Sequence, residues 1–127
     1  DGLFAYQLAV VADDHAQKIN QVVRGADLLQ ETFAQIQLQQ HLNLTSPDYA
    51  HIPLATTADG QKLSKQNLAP ALENRNPAIE LLQALHILNQ ELPPEPLSQT
   101  VESLLQWAIS HWHIERVPAI QSIPIGA

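Results

Sequence analysis

With 127 residues, 45% of them apolar and 15% charged, the chain has the length and composition of one ordinary globular domain, which excludes a disordered or fibrous protein. No apolar run approaches the roughly 20 residues that span a bilayer, no secretory signal opens the chain, and cysteine is absent; nothing points to a membrane, a disulfide or thiolate-metal framework is excluded, and a cytoplasmic location is expected. The formal net charge of −7, with four basic and seven acidic residues in 1–72 and two and six in 73–127, argues against a broad phosphate-binding face.

Residues 4–17 fit either a buried strand at Leu8 to Ala12 or a helix, and their full length favours the helix. Ile19 to Arg24, with its Val22-Val23 pair and the break at Gly25, predicts a strand that leaves Arg24 at its C-terminal end. Thr32 is the expected N-cap of a helix carrying Ile36 and Leu38 and ending near Asn43. Tyr49 to Leu54 predicts a second strand, irregular at Pro53, so that strand, helix and strand form a parallel unit. Ala58-Asp59-Gly60 signals a tight turn before the polar stretch Gln61 to Asn67.

The composition changes after Leu72. Asn76-Pro77 predicts the start of a helix to about Leu92, closed by Pro93-Pro94. Ser98 is the expected cap of another helix, with Val101, Leu104, Leu105, Ala108, Ile109 and Trp112 on one apolar face. Pro118 begins an expected tail. The chain opens at Asp1 and contains no methionine, so a preceding segment is expected.

The segment with most chemical content is Lys62-Leu63-Ser64-Lys65-Gln66-Asn67. Two ammonium groups and a hydroxyl on one loop can surround a polyanion and follow its charge as pyrophosphate leaves, although a Lys-rich loop is also an ordinary solvated loop. This segment resembles the lysine signature of class I aminoacyl-tRNA synthetases in its glutamate-family form. The resemblance extends to Ala5-Tyr6-Gln7-Leu8-Ala9-Val10-Val11-Ala12-Asp13-Asp14, to Val22-Val23-Arg24-Gly25-Ala26-Asp27-Leu28-Leu29 and to Tyr49-Ala50-His51-Ile52-Pro53-Leu54, in the family's order. Only 60 residues follow Asn67, and Trp107-Ala108-Ile109-Ser110-His111-Trp112 with Arg116-Val117-Pro118 is similar to the C-terminus of glutamyl-queuosine tRNA(Asp) synthetases.

The resemblance implies an α/β chain: residues 1–72 as the C-terminal half of a Rossmann catalytic core, residues 73–127 as a helical region and tail. It implies a ligase-type enzyme that activates glutamate with ATP, magnesium accompanying the nucleotide, and transfers it to the queuosine base of tRNA(Asp). The N-terminal half of the core, which carries the family's main nucleotide motif and a zinc-binding insertion, would be absent, so the chain alone is expected to be inactive. Residue by residue, Tyr6 and Arg24 match glutamate-binding positions and Lys65 the lysine assigned to ATP, with Lys62 beside it as a catalytic cation. The alternatives are a half-buried tyrosine without a ligand, and an Arg24 ion pair with Asp27 or Asp13. His51 has a nucleotide-facing and a structural reading. Asp13 and Asp14 are expected as surface carboxylates, and His86, His111 and His113 as structural or solvated, with no metal site. Val10, Ala26 and Phe33 depart from the family pattern. An ordinary glutamyl-tRNA synthetase fragment and a non-catalytic helical interaction module remain the competing readings.

Overall fold

The computed structural model describes residues 5–64, 76–95 and 100–125. The chain divides into two compact units, Asp1–Ile52 and Pro53–Ala127. The expected composition boundary after Leu72 lies outside the described residues.

In the first unit, α1 (Tyr6–Ala16) is the expected helix, anchored by Val11, which is 1% exposed. It closes where Lys18 adopts φ 58° and the N–H groups of Lys18 and Ile19 turn back to the carbonyls of His15 and Asp14. β1 (Gln21–Gly25) then leads through a 3-10 turn, Ala26–Leu28, into α2 (Leu29–His41). β2 (Asp48–Ile52) pairs parallel with β1, Arg24 standing opposite His51 and Val22 opposite Tyr49. Side chains alternate along a strand, so Val22, Arg24, Tyr49 and His51 share one face of this sheet. Val23, 67% exposed, lies on the other.

Thr32 is not the cap expected from the sequence. The 3-10 turn starts the helix earlier, which places Thr32 inside the first turn of α2, where its hydroxyl donates to the Leu28 carbonyl (3.1 Å). The buried positions of α2 are Thr32, Gln35 and Gln39 instead of an aliphatic set, and the spacing of 0, 3 and 7 makes them one helical face.

In the second unit, the expected strand through Leu54 is broken at Pro53, which offers no N–H to a ladder, and β3 (Leu54–Thr56) belongs to a separate sheet. β3 pairs parallel with β4 (Ser122–Pro124), so the expected tail contributes a strand. Pro124 fits because the neighbouring ladder bonds use other amides: Leu54 N–H reaches the Gln121 carbonyl and Ile125 N–H the Thr56 carbonyl. After β3 the chain reverses through Asp59 and Gly60, Gly60 taking φ 84°, and returns with Lys62 bridged antiparallel to Thr56. Thr57 secures this turn by donating to Asp59.

α3 (Pro77–Ile87) has Pro77 at its first turn as expected, but ends before Leu92 because Asn89 adopts φ 55° and Gln90 N–H closes on the Leu85 carbonyl. α4 (Val101–Ser110) is capped by Thr100, whose hydroxyl accepts from Ser103 N–H (3.2 Å) while Ser103 Oγ accepts from Thr100 N–H; Ser98, the expected cap, lies outside the described residues. Leu82, Leu85 and fully buried Leu104 form the apolar core of this unit, each such side chain contributing about 1.5–3 kcal/mol of burial. Buried Gln90 joins the end of α3 to the segment after α4, its amide donating to the Leu88 and His113 carbonyls and accepting from His113 N–H (2.8, 3.2 and 2.9 Å). Of the predicted α4 face, Leu105, Ile109 and Trp112 stay exposed at 45, 72 and 41%.

Candidate functional site

The strand face that carries Arg24, Tyr49 and His51 packs against the polar face of α2, and their contacts are specific. Arg24 Nη2 donates to Thr32 Oγ1 at 2.6 Å and its Nε donates to His51 Nε2 at 3.3 Å. Thr32 Oγ1 also lies 3.0 Å from His51 Nε2. The guanidinium carbon sits 5.1 Å from the centre of the Tyr49 ring, a cation–π distance, and Gln39 Nε2 donates to the Tyr49 hydroxyl at 2.9 Å. Tyr49 and His51 stack at 6.4 Å between ring centres.

These bonds assign protonation. His51 Nε2 accepts from Arg24 Nε, so the imidazole carries its proton on Nδ1 and is neutral. Desolvation and then the Arg24 charge hold the His51 pKa below its ordinary value, in agreement with that geometry. Arg24 spends two of its five donors on Thr32 and His51, so at most three are available to a carboxylate, at the C-terminal end of a parallel strand where such sheets bind ligands.

The other expected site residues are placed as follows. Tyr6 opens α1 and is 54% exposed; Arg24 donates its side-chain hydrogen bonds to Thr32 and His51. Lys62 is an exposed residue of the turn that follows β3, in the second unit. Lys65 lies outside the described residues. Asp13 is exposed near the end of α1, and Asp14 lines a cavity of about 270 Å³ with Lys18, Asn20 and Gln39. His86 is exposed, His111 stacks on Trp107 at 3.7 Å, and His113 Nδ1 lies 3.2 Å from Glu115 Oε1. Among the described residues no three His, Asp or Glu side chains are grouped as metal ligands.

The sequence reading missed Thr32, Gln39 and Tyr49 as parts of this site. Their signal was the polar spacing 32, 35 and 39 on a helix expected to bury aliphatic residues, opposite the Tyr49-x-His51 alternation of the following strand.

The model of the family "tRNA synthetases class I (E and Q), catalytic domain" matches residues 1–80. The chain belongs to that family. Among curated proteins, the Glutamyl-Q tRNA(Asp) synthetase of Colwellia psychrerythraea is 55% identical over 98% of this chain and 41% of its own length. The protein of that name from Thiobacillus denitrificans is 56% identical over 93% of this chain and 39% of its own. The chain therefore spans about two-fifths of these relatives, and the expected resemblance to the glutamyl-queuosine branch of the class I family is borne out.

Among solved structures, glutamate-tRNA synthetase from Elizabethkingia anophelis superposes with a TM-score of 0.63 at 21% identity, covering 92% of this chain and 27% of the other. A glutamate tRNA ligase from Elizabethkingia meningosepticum, solved in complex with its amino acid, gives 0.65 at 19% identity, covering 96% and 28%. These likenesses carry the fold, and the class I α/β catalytic architecture expected from the sequence is the one observed.

Proposed function

We propose that this chain is the later part of a cytoplasmic ATP-dependent ligase that activates glutamate and transfers it to the queuosine base of tRNA(Asp). The single observation that carries the reading is the Arg24 guanidinium, held from one edge by Thr32 and His51 at a strand's C-terminal end, within a chain 55% identical to a Glutamyl-Q tRNA(Asp) synthetase. In this reading Arg24 grips a carboxylate of glutamate through charge-assisted hydrogen bonds, and Tyr6 donates its phenol to the same substrate. A glutamate carboxylate oxygen then bonds to the α-phosphorus of ATP, which enters with magnesium, and the bond to pyrophosphate breaks. Lys62 and Lys65 place ammonium charge where the leaving pyrophosphate gathers negative charge, an effect worth most in the transition state.

The test is glutamate-dependent ATP–pyrophosphate exchange by this chain joined to the preceding part of the Colwellia relative, followed by charging of queuosine-containing tRNA(Asp) and of tRNA(Glu). Exchange with charging of tRNA(Asp) alone is the expected result. Charging of tRNA(Glu) would assign the chain to ordinary glutamyl-tRNA synthetases, and folded fusion without exchange would leave the interaction-module reading in its place. Arg24→Ala should raise the glutamate KM roughly tenfold to a hundredfold with little change in the ATP KM, the loss of a charge-assisted contact.

A further inference from the structure

We propose that Thr32 and His51 are positioning residues for Arg24, fixing the plane of its guanidinium so that its remaining N–H donors are aligned for the substrate carboxylate. This rests on the reading of Arg24 given above. An arginine fork gains from bidentate recognition only when its plane is set beforehand, because the unrestrained side chain has many rotamers. Two bonds on one edge, from Nε to His51 and from Nη2 to Thr32, define that plane, and the Tyr49 ring 5.1 Å away supports it.

Each partner is itself held. Thr32 is 6% exposed, β-branched, and tied to the Leu28 carbonyl one helical turn back. His51 stands opposite Arg24 in the parallel ladder and stacks with Tyr49, whose hydroxyl is fixed by Gln39. A threonine at position 32 also has weak value as helix structure: it caps nothing, and a hydroxyl bonded back into its own helix is mildly destabilising. Its oxygen accepts from Arg24 at 2.6 Å, and its one proton has the Leu28 carbonyl (3.1 Å) and His51 Nε2 (3.0 Å) as alternative acceptors. Because Thr32 and Arg24 are joined through one oxygen atom, valine at position 32 removes the acceptor while keeping shape, and serine keeps the acceptor.

The experiment measures exchange kinetics in the fused enzyme described above for Thr32→Val, Thr32→Ser and Arg24→Ala, with urea midpoints as the check on folding. Thr32→Val should raise the glutamate KM roughly tenfold with the ATP KM moving less than about twofold, and Thr32→Ser should restore the glutamate KM to within about threefold. An unchanged glutamate KM in Thr32→Val, or no rescue by serine, overturns the positioning role while a large Arg24→Ala effect leaves the Arg24 reading intact. An Arg24→Ala enzyme with unchanged glutamate KM overturns that reading and this inference together. The 127-residue chain provides a measurement that needs neither variant nor catalysis. Nitrogen-15 NMR should show His51 protonated on Nδ1 with a slowly exchanging Arg24 Nε–H, and a proton on His51 Nε2 would overturn the arrangement.

Discussion

Gln35 and Gln90 show how the same side chain can serve opposite ends in one molecule. Gln90 is buried with its oxygen and nitrogen both bonded, and it ties two segments together. Gln35 is 0% exposed with neither amide atom bonded among the described residues. A buried amide without partners is destabilising by about 1–3 kcal/mol, so Gln35→Met, of similar length and volume, should stabilise the chain by about 1–2 kcal/mol in urea denaturation. A lower urea midpoint for the methionine variant would mean that the amide is satisfied in solution. His51 gives the pH prediction. Its folded pKa is lowered, so the unfolded chain takes up the proton first, and the contribution of His51 to stability is complete above pH 6.5 and lost as the pH falls toward the lowered value. The difference in stability between the chain and its His51→Gln variant should therefore shrink on acidification below 6.5. Direct NMR titration of the ring at or above 6.5 would contradict the assignment.

At the scale of elements, α1, α2 and α3 end alike, each with one residue in the left-handed region followed by a backward pair of N–H bonds: Lys18, Asn43 and Asn89, at φ 58, 55 and 55°. Asparagine tolerates this conformation, whereas lysine carries the steric conflict of its Cβ, of order 1–2 kcal/mol. Lys18→Gly should accordingly raise stability by about 0.5–1 kcal/mol after the added freedom of the unfolded chain is subtracted, and Asn43→Gly should raise it less. Equal shifts in the two urea midpoints would show that the side chain of Lys18 contributes something its backbone strain conceals. The same closure explains the shortened α3: the expected helix extended to about Leu92, but the left-handed Asn89 stops it at Ile87.

For the whole molecule, the exposed apolar residues are informative. Val23, Phe33 and Ile109 are 67, 62 and 72% exposed, and a parallel strand such as β1 ordinarily has both faces covered. We predict that the 127-residue chain by itself self-associates as its concentration rises in sedimentation velocity, and that Ile109→Lys combined with Phe33→Lys shifts it toward monomer. A concentration-independent monomer would count against the larger-protein reading. The chain alone should also give no glutamate-dependent exchange, since Arg24 and the lysine loop supply only part of the chemistry proposed for it. Robust exchange by the unfused chain would overturn the partial-enzyme reading.

Periodicity and punctuation were enough to read α1, β1, the Asp59-Gly60 turn and the start of α3, because these depend on local signals: apolar spacing, glycine and proline. The four motif blocks carried the family, while the Val22-Val23 pair and the break at Gly25 put Arg24 at the end of its strand. Local signals did not reveal which residues of α2 would be buried, since a polar face is buried only when tertiary packing supplies partners, here Arg24 and His51 for Thr32 and Tyr49 for Gln39. Nor did they reveal β4, whose ladder with β3 joins residues more than sixty positions apart, or the true cap of α4, where Thr100 and Ser103 satisfy one another. The sequence by itself determined that α1, β1, the Asp59-Gly60 turn and the start of α3 would form, with Arg24 near a strand's end; only the tertiary structure decided what holds that arginine, because hydrogen-bond partners distant along the chain meet only after the strands have paired and α2 has packed across them.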